Sequence, residues 1–156
     1  QYVGSFFEKA GADNVIWIFN PNGTSFPNFK WNDQRLYYPG DEYADIWGIT
    51  AYNTGNYYEG ETWQDFDTLY EGLYADTLKV TDMPLMITEF ACARAGGNKE
   101  EWVKDMHRKI GNYPEIKAAV WWSFADFDGE TESRSYYFLD SEELAPIWKE
   151  YLDTIE

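Results

Sequence analysis

Four short, nearly continuous apolar runs, beginning at residues 14, 44, 84 and 116, set the main limit on what this chain can fold into. They are Asn14–Phe19 (NVIWIF), Ala44–Thr50 (ADIWGIT), Pro84–Phe90 (PLMITEF) and Ile116–Phe124 (IKAAVWWSF). Each is brief, rich in β-branched or aromatic side chains and bounded by turn formers, which reads as a β-strand. A half-exposed strand alternates apolar and polar residues. These do not, so both faces must be covered, as in a parallel sheet backed by helices.

The stretches between and after the runs carry helical patterns. Thr62–Leu78 spaces Trp63, Phe66, Leu69, Tyr70, Leu73 and Leu78 along a helix face, with Thr62 as N-cap. Asn98–Ile110 puts Trp102, Val103, Met106 and Ile110 on one face behind Asn98 as cap. Ser141–Leu152 opens with acids suited to a helix N-terminus. Tyr2–Ala10 reads as the tail of a helix before the first strand. Alternating strands and helices predict an α/β fold with parallel strands and outer helices.

Composition narrows the function. The net charge of −16 excludes a phosphate-tracking nucleic-acid binder or an anionic-membrane binder, both of which need clustered Lys and Arg. No run is long and apolar enough to cross a bilayer. Cys92 is the sole cysteine and His107 the sole histidine, so neither an intrachain disulfide nor a cysteine metal cluster is available, and acid–base chemistry falls to carboxylates. Eight Trp and 13 Tyr offer flat apolar faces with polar edges, which suit either sugars or a ring-rich core. The chain opens on Gln1 without an initiator Met or signal peptide, as a processed or excised segment would.

The candidate functional residues fall just beyond the predicted strands, where parallel α/β folds build their sites. Asn20 and Asn22 follow the first strand, Tyr52 the second, and Trp121, Trp122, Asp126 and Asp128 end or follow the fourth. Glu89 at the end of the third is the sharpest signal. It closes the apolar run Leu85-Met86-Ile87-Thr88, where a carboxylate without partners is costly to bury. A rigid carboxylate in that position suits a nucleophile attacking an anomeric carbon. A structural carboxylate paired with Arg, Tyr or an indole N–H is the alternative. Trp31, Tyr37, Tyr38, Tyr57 and Tyr58 lie in two long loops, where they serve sugar stacking or loop packing. His107 reads as a surface helix residue and Cys92 as a small buried one.

Several segments in order resemble glycoside hydrolase family 26: Tyr38-Pro39-Gly40-Asp41-Glu42-Tyr43 leading into Ala44-Asp45-Ile46-Trp47-Gly48-Ile49, then Ala51-Tyr52, Pro84 through Phe90, and Ala119-Val120-Trp121-Trp122. The resemblance implies half of a (β/α) barrel of eight strands, residues 1–156 forming a single unit equivalent to strands five to eight. It implies Glu89 as nucleophile, Tyr52 as its hydrogen-bonding partner, and Trp121 or Trp122 as the floor of a sugar subsite. Asn20, Asn22, Trp31 and Asp126 complete the expected substrate contacts. The implied activity is that of an endo-acting retaining β-glycan hydrolase, a β-1,4-mannanase, with no cofactor and a secreted or cell-surface location. The family's acid/base Glu lies in a His-Glu-Met-Asn-like segment that has no counterpart here. A partner is therefore expected, either an N-terminal half-barrel or a second copy in a homodimer. The alternatives are a non-catalytic carbohydrate-binding half-barrel and an assembly module.

Overall fold

A computed structural model describes residues 2–154. Helix α1 (Tyr2–Lys9) leads to strand β1 (Ile18–Phe19), followed by β2 (Ile46–Asn53), α2 (Phe66–Thr77), β3 (Leu85–Cys92), α3 (Lys99–Lys109) and β4 (Ile116–Trp121). A hairpin of β5 (Ala125–Asp128) and β6 (Thr131–Ser135) precedes α4 (Leu144–Leu152).

The first four strands form one sheet in the order β1-β2-β3-β4, and every neighbouring pair is parallel. Strand order follows chain order without reversal, so the sheet has no switch point of the doubly wound kind. Helices α2, α3 and α4 all pack on one face, where Phe66, Tyr70, Trp102, Val103, Met106, Leu144 and Trp148 meet Trp47, Ile49, Leu85, Ile87 and Phe90. Singly wound, sequential and parallel, this is half of a (β/α) barrel. None of these three helices lies on the opposite face.

Local chemistry explains the element ends. Asp65, not Thr62, caps α2 by accepting from Thr68 N–H at 2.8 Å, so the helix starts later than its apolar spacing suggests. Asn98 caps α3 through Glu101 N–H at 2.9 Å. Ser141 does not cap α4. Its hydroxyl donates to Glu100 at 2.6 Å, and the helix begins at Leu144. The first strand is far shorter than the apolar run. Residues 41–43 form a turn of 3-10 helix, so β2 offers partners only from Ile46 onward, and Asp45 takes the Trp17 N–H with its side chain at 2.7 Å.

The segment after β4, which holds Asp126 and Asp128, is an antiparallel hairpin with Asp128 paired to Thr131. Gly129, at φ +62°, is the first residue of its two-residue turn, and among the described residues only glycines have a positive φ, so Glu130 does not, which fits a II′ turn.

His107 is not the surface residue its charged neighbours suggest. Its ring stacks on Tyr151 at 3.8 Å and meets Trp148 edge-on, because α4 packs across that side of α3. Burial lowers its pKa to about 4. Cys92 is fully buried, and burial pushes its thiol up to about 12.

Candidate active site

Glu89 reaches the helix-free face because β3 breaks its alternation. Leu85 and Ile87 are fully buried against the helices, so a period of two would turn residue 89 the same way. The pairing instead runs Ile49↔Ile87 and then Thr50↔Glu89, leaving Thr88 as the extra residue of a bulge. Thr88 and Glu89 both face away from the helices, and Phe90 resumes helix packing against Trp121. The strand then continues to Cys92, so Glu89 sits inside it and not at its end.

On that face the Tyr52 hydroxyl donates to Glu89 Oε2 at 2.5 Å. Burial first, then this bond, raises the Tyr52 pKa above its ordinary value, so the phenol stays protonated and remains the donor. Glu89 is half-buried, with one oxygen fixed by Tyr52. Behind it, Thr88 and Thr50 hydroxyls lie 2.9 Å apart, and Thr88 donates to Asn20 Oδ1 at 2.8 Å. Gly48 makes this approach possible. A Cβ there would lie 2.7 Å from Asn20 Oδ1 and 2.8 Å from Thr88 Cγ2.

Glu89, Tyr52 and Asn20 are thus brought together by way of the two threonines. The other expected residues are distributed differently. Trp121 turns toward the helices, with its ring against Phe90, Trp102, Phe138 and Trp148 and its indole N–H donating to Tyr136 O at 2.8 Å. Its expected role as a subsite floor is therefore corrected to a core role, because Phe90 and the α3–α4 seam claim its faces. Trp122 is exposed, anchored by its backbone N–H to Phe90 O. Asp126 pairs with Arg134 at 2.8 Å. Asn22 lines a hollow of about 350 Å³ in the loop after β1, together with Phe26 and Tyr37, and Asn20 borders the same hollow. Trp31 is exposed and stacks on Phe29.

Residues that the sequence did not single out complete the wall. Tyr136 is buried beside Tyr52 with ring centroids 5.6 Å apart. Arg134 bridges Glu61 at 2.5 Å and Asp126 at 2.8 Å, and its guanidinium lies 5.0 Å from the Tyr58 ring. The signal that could have found them is Gly129 opening the Gly129-Glu130 hairpin turn, which folds Arg134 and Tyr136 back toward β2 and β3. Among the described residues, no group of three or more His, Cys, Asp or Glu is placed to hold a metal ion.

The sequence profile described as Glycosyl hydrolase family 26 matches residues 2–116, from α1 to the start of β4. Endoglucanase H of Acetivibrio thermocellus is 36% identical over 129 residues, a match covering 78% of this chain and 13% of that protein. Among solved structures, a mannanase from Bacillus subtilis is similar with a TM-score of 0.45 and 20% identity, over 86% of this chain and 34% of that one. An endo-β-1,3-glucanase from Sorangium cellulosum is similar with a TM-score of 0.41 and 27% identity, over 70% and 41%. The profile match over most of the chain, and the identity to Endoglucanase H across more than two thirds of it, lead to one conclusion: this chain belongs to glycosyl hydrolase family 26.

Proposed function

We propose that the chain is the nucleophile-bearing half of an endo-acting retaining β-glycan hydrolase of the β-1,4-mannanase type. The observation that carries the reading is Glu89, turned by a strand bulge onto the helix-free face and held there by Tyr52. A carboxylate with one oxygen fixed and the other free is oriented for attack on an anomeric carbon. It would form a glycosyl-enzyme ester that water then hydrolyses. The exposed indole of Trp122 is the natural sugar-stacking surface. A polymeric substrate implies action outside the cell or at its surface.

Retaining chemistry needs a second carboxyl about 5–5.5 Å from the first. Asp126 is already engaged by Arg134 within the hairpin. The acid/base is therefore assigned to further strands that close the barrel, equivalent to strands one to four, with this chain supplying five to eight. The open edge supports that assignment. Strand β4 is exposed along most of its length, and Val120, Trp122 and Phe124 present apolar surface there.

Two measurements test the proposal. In the first, the complete protein is assayed on β-mannan, mixed-linkage β-glucan and xylan, with the anomer of the first-formed product read by NMR. An inverted product sinks the retaining reading, and preference for another glycan sinks the mannanase one. In the second, residues 1–156 alone are expected to self-associate, or to bind a polypeptide supplying the remaining strands. A stable soluble monomer in sedimentation that takes up no such segment would overturn the assembly argument. Within the active protein, Tyr52→Phe is expected to lower kcat about 10- to 150-fold, the loss of one hydrogen bond to a charged group (~1.5–3 kcal/mol). An unchanged kcat in Tyr52→Phe would show that Glu89 needs no such partner.

A further inference from the structure

We infer that Tyr136 is a positioning residue for the Glu89 carboxylate, acting through Tyr52. The inference rests on the reading of Glu89 as nucleophile and adds a residue from a hairpin that makes no hydrogen bond to Glu89.

The Tyr52 hydroxyl fixes the carboxylate only as well as the Tyr52 ring is itself fixed. Tyr136 is the one aromatic ring packed on Tyr52 among the described residues, at 5.6 Å between centroids and tilted 55°. Both rings pack against Ala91 of β3 and Ala93 just past its end, both fully buried. Larger side chains at 91 or 93 would occupy the volume that the two tyrosines now fill.

Tyr136 is itself held firmly. Its backbone N–H donates to Phe124 O at 2.9 Å, and its carbonyl accepts from the Trp121 indole at 2.8 Å. Two residues earlier, Arg134 ties the hairpin to Glu61 in the segment between β2 and α2. The Tyr136 ring is therefore a fixed stop for Tyr52, at 3% exposure and away from bulk solvent.

Removing the stop should give the Tyr52 ring rotational freedom and loosen its hydrogen bond to the Glu89 carboxylate. A misplaced nucleophile slows chemistry far more than it weakens binding.

The test uses the complete, active protein and compares Tyr136→Ala, Tyr136→Phe, Tyr52→Phe and the Tyr52→Phe/Tyr136→Ala double variant. Tyr136→Ala is expected to lower kcat about 10- to 100-fold with KM changed by no more than about twofold. Tyr136→Phe, which keeps the ring, should restore kcat. The double variant should be no worse than Tyr52→Phe alone, because both changes act on the same bond. Should Tyr136→Ala fail to fold, Tyr136→Leu makes the same comparison with most of the volume kept. Additive losses, a failure of Tyr136→Phe to restore kcat, or wild-type kcat in the ring-less variant would each overturn the inference. Glu89→Gln separates the two ideas: full activity there overturns the nucleophile reading and this inference together. An inactive Glu89→Gln beside a wild-type-like Tyr136→Ala overturns only this one.

Discussion

Glu89→Gln in the active protein should reduce kcat by about three orders of magnitude or more while leaving KM and the melting temperature near wild type. The amide keeps the size of the carboxylate, and its oxygen can still accept the Tyr52 hydroxyl, so the fold has no reason to change. What disappears is the anionic oxygen that would bond to the anomeric carbon and then leave as a carboxylate. Steady-state kinetics on a β-glycan with a good leaving group gives the loss directly. Retention of a tenth or more of wild-type kcat would mean that Glu89 is a structural partner of Tyr52.

The second large effect concerns stability. The Lys99 ammonium is fully buried and bonded to Asp140 at 2.8 Å and to Tyr137 O at 2.7 Å, with the Trp121 ring 5.5 Å away. Burial lowers the Lys99 pKa, and Asp140 works against that shift. Asp140 also accepts from Arg94 at 2.7 Å, and Arg94 pairs in turn with Glu100 at 2.6 Å. Asp140→Ala would strand a buried cation, and breaking such a pair is worth about 3–5 kcal/mol. That is a large part of the 5–15 kcal/mol typical of a domain. Urea denaturation should show the midpoint falling sharply. Adding Lys99→Met, which removes the charge and keeps an apolar stem, should return most of the loss. A loss under about 1 kcal/mol in Asp140→Ala would show that the pair contributes little. The network also joins the segment after Tyr136 to the start of α3, so the single variant should loosen the wall beside Tyr52 as well.

The two kinds of information divide along physical lines. The helix-facing pattern was legible because burial leaves a local record. Trp47, Ile49, Leu85, Ile87 and Phe90 had to be apolar to face α2, α3 and α4, and their clustering into short runs marked parallel strands. The Asn98 cap was legible because its bond to Glu101 spans three residues. Thr62 was misplaced because Asp65 competes for the same helix start, and the choice depends on which side chain reaches a free N–H. Trp121 and Trp122 are adjacent and chemically alike, so only the packing of Phe90 and Trp148 could decide which indole is buried and which is open.

By itself the sequence determined the parallel α/β class and the presence of an acid in an apolar strand, since each follows from local pattern and composition. Where that acid points was decided by tertiary structure alone. Leu85 and Ile87 set an alternation that would carry Glu89 under the helices, and the extra residue at Thr88 reverses it. A bulge depends on the register between two strands, and register depends on the partner strand as much as on the strand itself. The meeting of Tyr52 and Glu89, 37 residues apart, and the seating of Tyr136 beside them, are consequences of that pairing.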